Sequence, residues 1–168
     1  MRKRIAVWTL AVACLALLTA SAVSWAATDQ QSLTINATVS AKAKLTLGVA
    51  AINFPDADPD SVPSIAATEN PVSVTVKAQT GSASSVTLTA QANGDLDSGT
   101  DTIDITNVTW TATGAGFVDG TMDTAAQSAG SWTGSGRRDG TFSYALANSW
   151  DYSAGAYSQT VVYTLTAP

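Results

Sequence analysis

Residues 31–48 alternate between apolar and polar side chains almost without a break, and this pattern constrains the fold more than any other. The apolar positions are Leu33, Ile35, Ala37, Val39, Ala41, Ala43, Leu45 and Leu47. Because successive side chains of a strand point to opposite faces, the pattern predicts an extended strand with one apolar face. Strands usually run for about 5–6 residues, so this length raises the question of what the strand pairs with.

Two uses of residues 31–47 are consistent with the alternation. In the first, they form two consecutive edge strands of their own domain, bent near Ser40–Ala41, with lysines protecting the exposed edge. In the second, they are a donor strand that completes another subunit. Both uses predict burial of the same subunit-contact or core candidates, which are Leu33, Ile35, Val39, Leu45 and Leu47.

The first residues predict a secretory signal peptide at 1–26. A basic start, Arg2-Lys3-Arg4, precedes an apolar run from Ile5 to Leu18, and Ser24-Trp25-Ala26 fits a cleavage site. The apolar run is shorter than the ~20 residues that span a bilayer, so no membrane insertion of the mature chain is expected. The remaining residues, 27–168, predict one domain that is exported to the periplasm, cell surface or medium.

The missing residue types exclude several function classes. The chain has no histidine, and its single cysteine, Cys14, lies in the predicted leader. The mature chain therefore has no disulfide, no Cys or His metal site and no His-paired nucleophile, and we predict neither an enzyme nor a cofactor. Residues 27–168 carry five basic and thirteen acidic side chains, a net charge of −8, so nucleic acid is not an expected partner.

Shorter alternating windows follow the first one. Every second residue is apolar from Val72 to Ala78 and from Val86 to Ala92, and apolar residues dominate the same positions from Phe142 to Leu146 and from Tyr157 to Ala167. Turn-rich segments separate these windows at spacings of about 8–12 residues. The pattern predicts an all-β fold, an antiparallel immunoglobulin-like β-sandwich of about seven to nine strands, with a closed barrel as the alternative.

Two segments depart from regular alternation. The apolar phase changes between Ile105 and Val108, which predicts a β-bulge or strand break near Asn107. Residues 121–140 are rich in glycine, serine, alanine and threonine. This composition predicts long loops with at most one short strand, at Ser131-Trp132-Thr133.

One acidic loop is a candidate calcium site. Asp95, Asp97 and Asp101 lie close together in a glycine-containing loop with Asn93. Hard cations such as Ca²⁺ prefer clustered carboxylate and carbonyl oxygens. A solvated polar turn with no metal is the alternative interpretation.

Two tryptophans are candidates for sugar contact. Trp132 and Trp150 flank loops, where exposed indole rings stack on sugar rings, whereas Trp110 belongs to an alternating window and is expected in the core. These residues favour a stand-alone carbohydrate-binding module as the alternative function, with a glycan as the partner.

The two ends of the chain together resemble a known group of proteins. The C-terminal strand has the form Gly-x-Tyr-x-x-Thr-Val-x-Tyr, carried by Gly155, Tyr157, Thr160, Val161 and Tyr163. With the N-terminal alternation and the turn INFPDADPDS, it resembles the spore coat protein U domain and the chaperone–usher fimbrial subunits. In that group the subunit lacks one strand, and the N-terminal segment of the next subunit fills the gap. The resemblance implies a secreted structural or adhesive subunit of a bacterial surface or fibre assembly, with copies of itself or other surface subunits as partners.

Overall fold

The computed structural model describes residues 28–168, so the predicted leader lies outside the described residues. Within them lie eleven strands and one short 3-10 turn: β1 (Lys42–Leu47), β2 (Ser64–Ala66), β3 (Val72–Gln79), β4 (Ser85–Ala92), β5 (Leu96–Asp97), β6 (Thr102–Ile103), the turn (Ile105–Asn107), β7 (Val108–Thr113), β8 (Gly120–Thr121), β9 (Gln127–Thr133), β10 (Gly136–Ala147) and β11 (Val161–Thr166). The all-β prediction is confirmed. The eleven strands exceed the predicted seven to nine because they include four very short strands that alternation could not predict. These are β2, β5, β6 and β8, each two or three residues long.

Two antiparallel sheets pack against each other as a sandwich. Sheet A has the strand order β1-β3-β10-β7-β8, with β2 also paired to β10, and sheet B has the order β11-β4-β9. The small β5–β6 hairpin forms a separate third sheet. Residues 28–168 include no helix with the length and apolar character needed to cross a membrane.

The core lies between the two sheets, as the alternating windows predict. The inward residues of β3, from Val72 to Ala78, and those of β4, from Val86 to Ala92, are all buried. Phe142 of β10 is fully buried among other aromatic rings: it packs edge-on against Trp110, Phe117 and Tyr144 and stacks on Tyr163 of the opposite sheet. Residues 28–168 contain no cysteine, so burial between the sheets stabilises the fold together with strand pairing and without a disulfide.

The long strand β10 has two successive partners on one edge. It pairs with β3 through Gly136–Phe142 and with β2 through Ala145–Ala147. Between them the Asn70 side chain takes the place of a strand: its Nδ2 donates to the Tyr144 carbonyl at 2.7 Å, and its Oδ1 accepts from the Tyr144 N–H at 2.8 Å. The backbone groups of Tyr144 are therefore satisfied where the partner strand changes.

The structure confirms one predicted irregularity and corrects another. The phase change near Asn107 is a strand break, formed by the 3-10 turn between β6 and β7, whose first residue is preceded by the capping side chain of Asp104. The loop prediction for residues 121–140 is wrong, because β9 and the start of β10 occupy most of that segment. Small residues fit these strands because a bulky neighbour covers them; a Cβ on Gly130 would collide with the Trp132 ring.

The opening alternation forms a strand over less than half its length. Only Lys42–Leu47 belongs to β1, where Leu45 and Leu47 pack against the core. Residues 28–41, hereafter the N-terminal segment, have no regular secondary structure and are exposed. Lys42 pairs with Gln79, the last residue of β3, so the chain before Lys42 has no strand to pair with. The prediction of consecutive edge strands within one domain is therefore wrong for residues 31–41.

Candidate functional site

The two sheets are incompletely closed on the side of β1 and β11. Among the described strands, β1 pairs only with β3 and β11 only with β4, so each leaves one backbone edge unpaired. Inward side chains of these edge strands, such as Leu47, Val161 and Tyr163, are only half-buried, whereas those of β3 and β4 are buried. We call this side the open edge.

A groove of about 1220 Å³ occupies the open edge. One wall consists of Leu47 and the extended chain at 49–59, and the other consists of residues 148–150, residues 152–161 and Tyr163. Its floor is apolar core, including Val72, Val108 and Met122. Small-molecule pockets usually measure about 300–1,000 Å³, so the volume of this groove exceeds that range.

Side-chain hydrogen bonds hold both walls of the groove. The backbone N–H and the Nδ2 of Asn53 each donate to the Glu69 carboxylate at 2.7 Å, and these bonds lower the pKa of Glu69. On the other wall, the Gln159 Nε2 donates to the Asp95 carbonyl at 2.7 Å, and Ser158 bridges to Asp97. The groove is therefore bounded by chain that is fixed in place, although neither wall belongs to a regular sheet there.

A tyrosine pair joins the two sheets at the inner end of the groove. The hydroxyls of Tyr144 on β10 and Tyr163 on β11 lie 2.7 Å apart and share a hydrogen bond. Burial raises the pKa of both phenols. Both are therefore neutral at physiological pH, and each satisfies the other's polar group inside an apolar surrounding.

The opposite side of the sandwich is sealed, and we call it the closed edge. The Val118 N–H donates to the Ala129 carbonyl at 3.2 Å, and the Ser131 N–H donates to the Gly116 carbonyl at 2.9 Å. Phe117 fills the space behind these bonds and packs edge-on against Trp132, with ring centroids 4.8 Å apart. Backbone pairing and aromatic packing thus close the side that carries β8 and β9.

The structure separates the two candidate sugar-contact tryptophans. The prediction for Trp132 is wrong: its ring is buried against Phe117, and its Nε1 donates to the Ala115 carbonyl at 2.7 Å. Trp150 is 68% exposed, and its Nε1 donates to Asp60 Oδ1 at 3.1 Å. A sugar contact at Trp150 stays a prediction.

The candidate calcium ligands do not converge on one point. Asp95 accepts from the Ile105 N–H at 3.0 Å, Asp97 from the Gly99 N–H at 2.6 Å, and Asp101 from the Ser153 hydroxyl at 3.1 Å. Residues 28–168 contain no group of three acidic, histidine or cysteine side chains that could hold a metal ion. In the described residues the three carboxylates therefore make separate hydrogen bonds and form no common cluster.

Charge is segregated along the strands, a feature that the sequence did not reveal. In sheet A, Lys44 lies opposite Lys77, and Lys77 lies opposite Arg137, which gives a row of cations across three strands. We call this the basic end; it holds every basic residue of 28–168, namely Lys42, Lys44, Lys77, Arg137 and Arg138. One ion pair occurs there, between Arg137 and Asp139 at 2.7 Å, and the hydrogen bond from Arg137 lowers the pKa of Asp139.

Acidic residues collect in the loops at the other end of the strands. The loops are tied together there, because Asn148 Nδ2 donates to the Ala57 carbonyl at 3.0 Å and Ser153 donates to Asp101. We call this the acidic end; it holds Asp56, Asp58, Asp60, Asp95, Asp97, Asp101, Asp104 and Asp151. The strand β10 runs from one end to the other, so about 35 Å separates them.

No protein-family model matches the sequence, and no curated protein matches it. The function is therefore inferred from the groove, the exposed segment and the distribution of charge.

Proposed function

We propose that this chain is an exported, non-enzymatic structural or adhesive subunit of a bacterial surface or fibre assembly. Its groove takes up the N-terminal segment of a second copy. One observation carries the proposal: an open groove of about 1220 Å³ with an apolar floor occurs in a chain whose Leu33, Ile35 and Val39 are 86, 84 and 75% exposed. The resemblance of the two chain ends to fimbrial subunits implies the same role.

The chemistry of the groove and of the segment is complementary. A strand with period-two alternation presents one apolar face, and the half-buried groove walls offer apolar surface to cover it. The unpaired backbone edges of β1 and β11 supply hydrogen-bond partners for an added strand. Burying Leu33, Ile35 and Val39 contributes roughly 5–9 kcal/mol in total before the cost of ordering the segment.

The chain connection favours a second copy over the segment's own groove. The alternation passes from residue 39 into β1 without a turn signal, since only Ser40-Ala41 separates Val39 from Lys42. Filling its own groove would require the chain to reverse at these two residues. The loops of two-residue hairpins need positive φ and therefore favour glycine, asparagine or aspartate. Ser-Ala contains none of these residues.

Peptide binding tests this function. We expect a capped synthetic peptide of residues 31–41 to bind the full chain carrying Ile35→Asp in its own segment, and to raise its melting temperature by mass action. A peptide with Ile35→Asp should bind at least about tenfold more weakly, because an unpaired charge would enter the apolar groove. The matched peptide with Thr34→Asp, changed on the polar face, should bind within about threefold of the original.

The proposal fails if the peptide does not bind and if the unaltered exported chain stays monomeric by electron microscopy and size-exclusion chromatography. Binding that does not distinguish Ile35→Asp from Thr34→Asp would also contradict it, because the apolar face would then have no role.

A second candidate function is a stand-alone carbohydrate-binding module, which the exposed ring of Trp150 favours. The bond from its Nε1 to Asp60 fixes the indole while 68% of the residue stays exposed. Retention on immobilised polysaccharides should then be lost in Trp150→Ala and kept in the control Val162→Ala, an exposed apolar residue on β11. Equal retention of both variants, or none of the unaltered protein, would remove this candidate.

A further inference from the structure

Three cations cross the outer face of sheet A in one line, which we call the cation row. Lys44 of β1 pairs with Lys77 of β3, and Lys77 pairs with Arg137 of β10. All three side chains are exposed, whereas their chain neighbours Leu45 and Val76 face the core. Directly paired side chains lie on the same face of a sheet, with their Cβ atoms about 4.5–5.5 Å apart. The row therefore places three positive charges along about 10 Å of exposed surface.

The cation row destabilises its own sheet. Like charges directly opposite each other on neighbouring strands are unfavourable, and the row contains two such pairs side by side. Within residues 28–168 the one ion pair of the row joins Arg137 to Asp139, and neither Lys44 nor Lys77 takes part in one. Lys42 lies two residues before Lys44 on the same face of β1, is also exposed, and adds a fourth positive charge. An anion bound along the row would relieve this repulsion.

The side chains beside the cation row are suited to a partner that carries hydroxyl groups. Thr46 and Thr75 pair with each other in the next row, and the Thr75 hydroxyl donates to Asp139 at 2.7 Å. One row further, Ser73 pairs with Thr141. In the described strands β1, β3, β7 and β10, the outward positions include no aromatic ring for stacking a nucleic-acid base and no large apolar side chain for entering a lipid bilayer. A sugar chain with anionic groups fits both the charge of the row and the hydroxyl groups beside it.

We propose that the outer face of sheet A binds an acidic polysaccharide, whose carboxylate or sulfate groups lie along the cation row. The inference goes beyond the proposed function, because it needs neither the groove nor the N-terminal segment. It is also separate from a sugar contact at Trp150, which lies at the acidic end beside Asp60. Residues 27–168 carry a net charge of −8, so the rest of the chain repels a polyanion and favours its docking on this face.

Binding to immobilised sugar chains tests the inference. The exported chain should be retained at low salt by dextran sulfate, by polygalacturonate or by both, and should not be retained by uncharged dextran. Its affinity should fall by roughly tenfold between about 50 and 200 mM NaCl, because salt screens the charges of both partners. Retention by dextran sulfate would identify sulfate as a recognised group, and retention by polygalacturonate would identify carboxylate. Equal retention by dextran, or no retention by either charged chain, would overturn the inference.

Neutral variants of the cation row test its location. Lys44→Gln with Lys77→Gln should weaken binding at low salt at least about tenfold. The matched control, Thr109→Glu with Thr111→Glu, lowers the net charge as much on the same face of the sheet but away from the row, and should stay within about threefold of the unaltered protein. Without polysaccharide, the lysine variant should melt about 1–4 °C above the unaltered protein, because its like-charge pairs are gone. Equal weakening in both double variants would overturn the inference, because net charge and not the row would then be responsible.

Two further variants and two other polyanions complete the test. Asp139→Asn removes the carboxylate that pairs with Arg137 at 2.7 Å, so binding should strengthen about threefold or more. Trp150→Ala should leave retention unchanged; a loss in this variant but not in the lysine variant would move the binding site to the acidic end and overturn the inference. Tighter binding of single-stranded DNA or of phosphatidylglycerol vesicles than of either polysaccharide would also overturn it. So would a lysine variant that changes the association of copies and not the retention by polysaccharides. The proposed function does not depend on these outcomes, because the 31–41 peptide tests it.

Discussion

The closed edge and the open edge differ in how the apolar space between the two sheets is covered. At the closed edge, the chain from Gly116 to Val118 bonds to β9, and Phe117 fills the space between the sheets. At the open edge no described residue pairs β1 with β11, and Val161 and Tyr163 stay half-buried above the groove. The comparison shows that aromatic packing and backbone bonds close one side of the sandwich, whereas the other side keeps a groove between two edge strands that do not pair with each other.

The largest expected effect is at the closed edge. Trp132→Ala removes a buried ring that packs on Phe117 and donates to Ala115. We expect the free energy of unfolding in urea to fall by about 3–5 kcal/mol. Trp150→Ala, at the exposed end of the groove, should change it by less than about 0.5 kcal/mol. Similar losses in both variants would show that the two edges do not differ in packing.

The next effect concerns the turn that seals the closed edge. Gly116 has φ +84°, and a Cβ there would collide with the indole of Trp132. Gly116→Ala should therefore cost about 2–4 kcal/mol, from backbone strain and overpacking together. Gly99→Ala is the matched control, because φ is +90° but nothing lies within 4 Å. It should cost about 1–2 kcal/mol, and equal losses would argue against the collision.

A smaller effect is expected at the tyrosine pair of the open edge. Tyr163→Phe leaves the Tyr144 hydroxyl without its partner and should cost about 1–2 kcal/mol at neutral pH. Because both pKa values are raised in the folded state, their stabilising contribution is full below about pH 10, the ordinary phenol value, and falls as pH rises further. Unfolding measured from pH 7 to 11 should therefore show a shallower alkaline decline in the variant. Parallel declines would contradict the assignment.

The smallest effect is expected at the groove wall. Hydrogen bonds from Asn53 lower the pKa of the half-buried Glu69 in the folded state. Their stabilising contribution is therefore present above the ordinary glutamate value of about 4.3 and is lost as pH falls through the lowered value. Glu69→Gln should melt slightly below the unaltered protein at pH 7, and the two melting temperatures should converge in acid. A difference that does not depend on pH would show that the carboxylate charge is not responsible.

Local alternation was sufficient to predict β3 and β4, whose inward residues form much of the core. Val76 and Leu88 point inward because each belongs to a run with period two, and burial of such a run determines which face is inside. The same reasoning could not assign Trp132, whose partner Phe117 lies fifteen residues earlier in the chain. It also could not show where β1 begins, because that depends on β3 ending at Gln79.

The site depended on pairings between distant parts of the chain. Lys44, Lys77 and Arg137 form one row only because of the register of β1, β3 and β10, which no local pattern specifies. The carboxylates at Asp95, Asp97 and Asp101 illustrate the converse, since these neighbours in sequence bond to three different partners. Most of the groove lining, residues 49–59, 148–150 and 152–156, has no periodic signal, so local alternation could not place it.

The seal between Phe117 and β9 has a consequence for polymer growth under the proposed assembly. A copy whose other side is closed has one groove that accepts a segment and one N-terminal segment that it donates. Filaments of such copies therefore cannot branch. Each added copy fills one groove and supplies another, so a filament of any length keeps a single empty groove. A capping molecule that binds the empty groove would therefore be effective at the concentration of filament ends, far below the concentration of copies. Filament length would then depend on the ratio of copies to capping molecules.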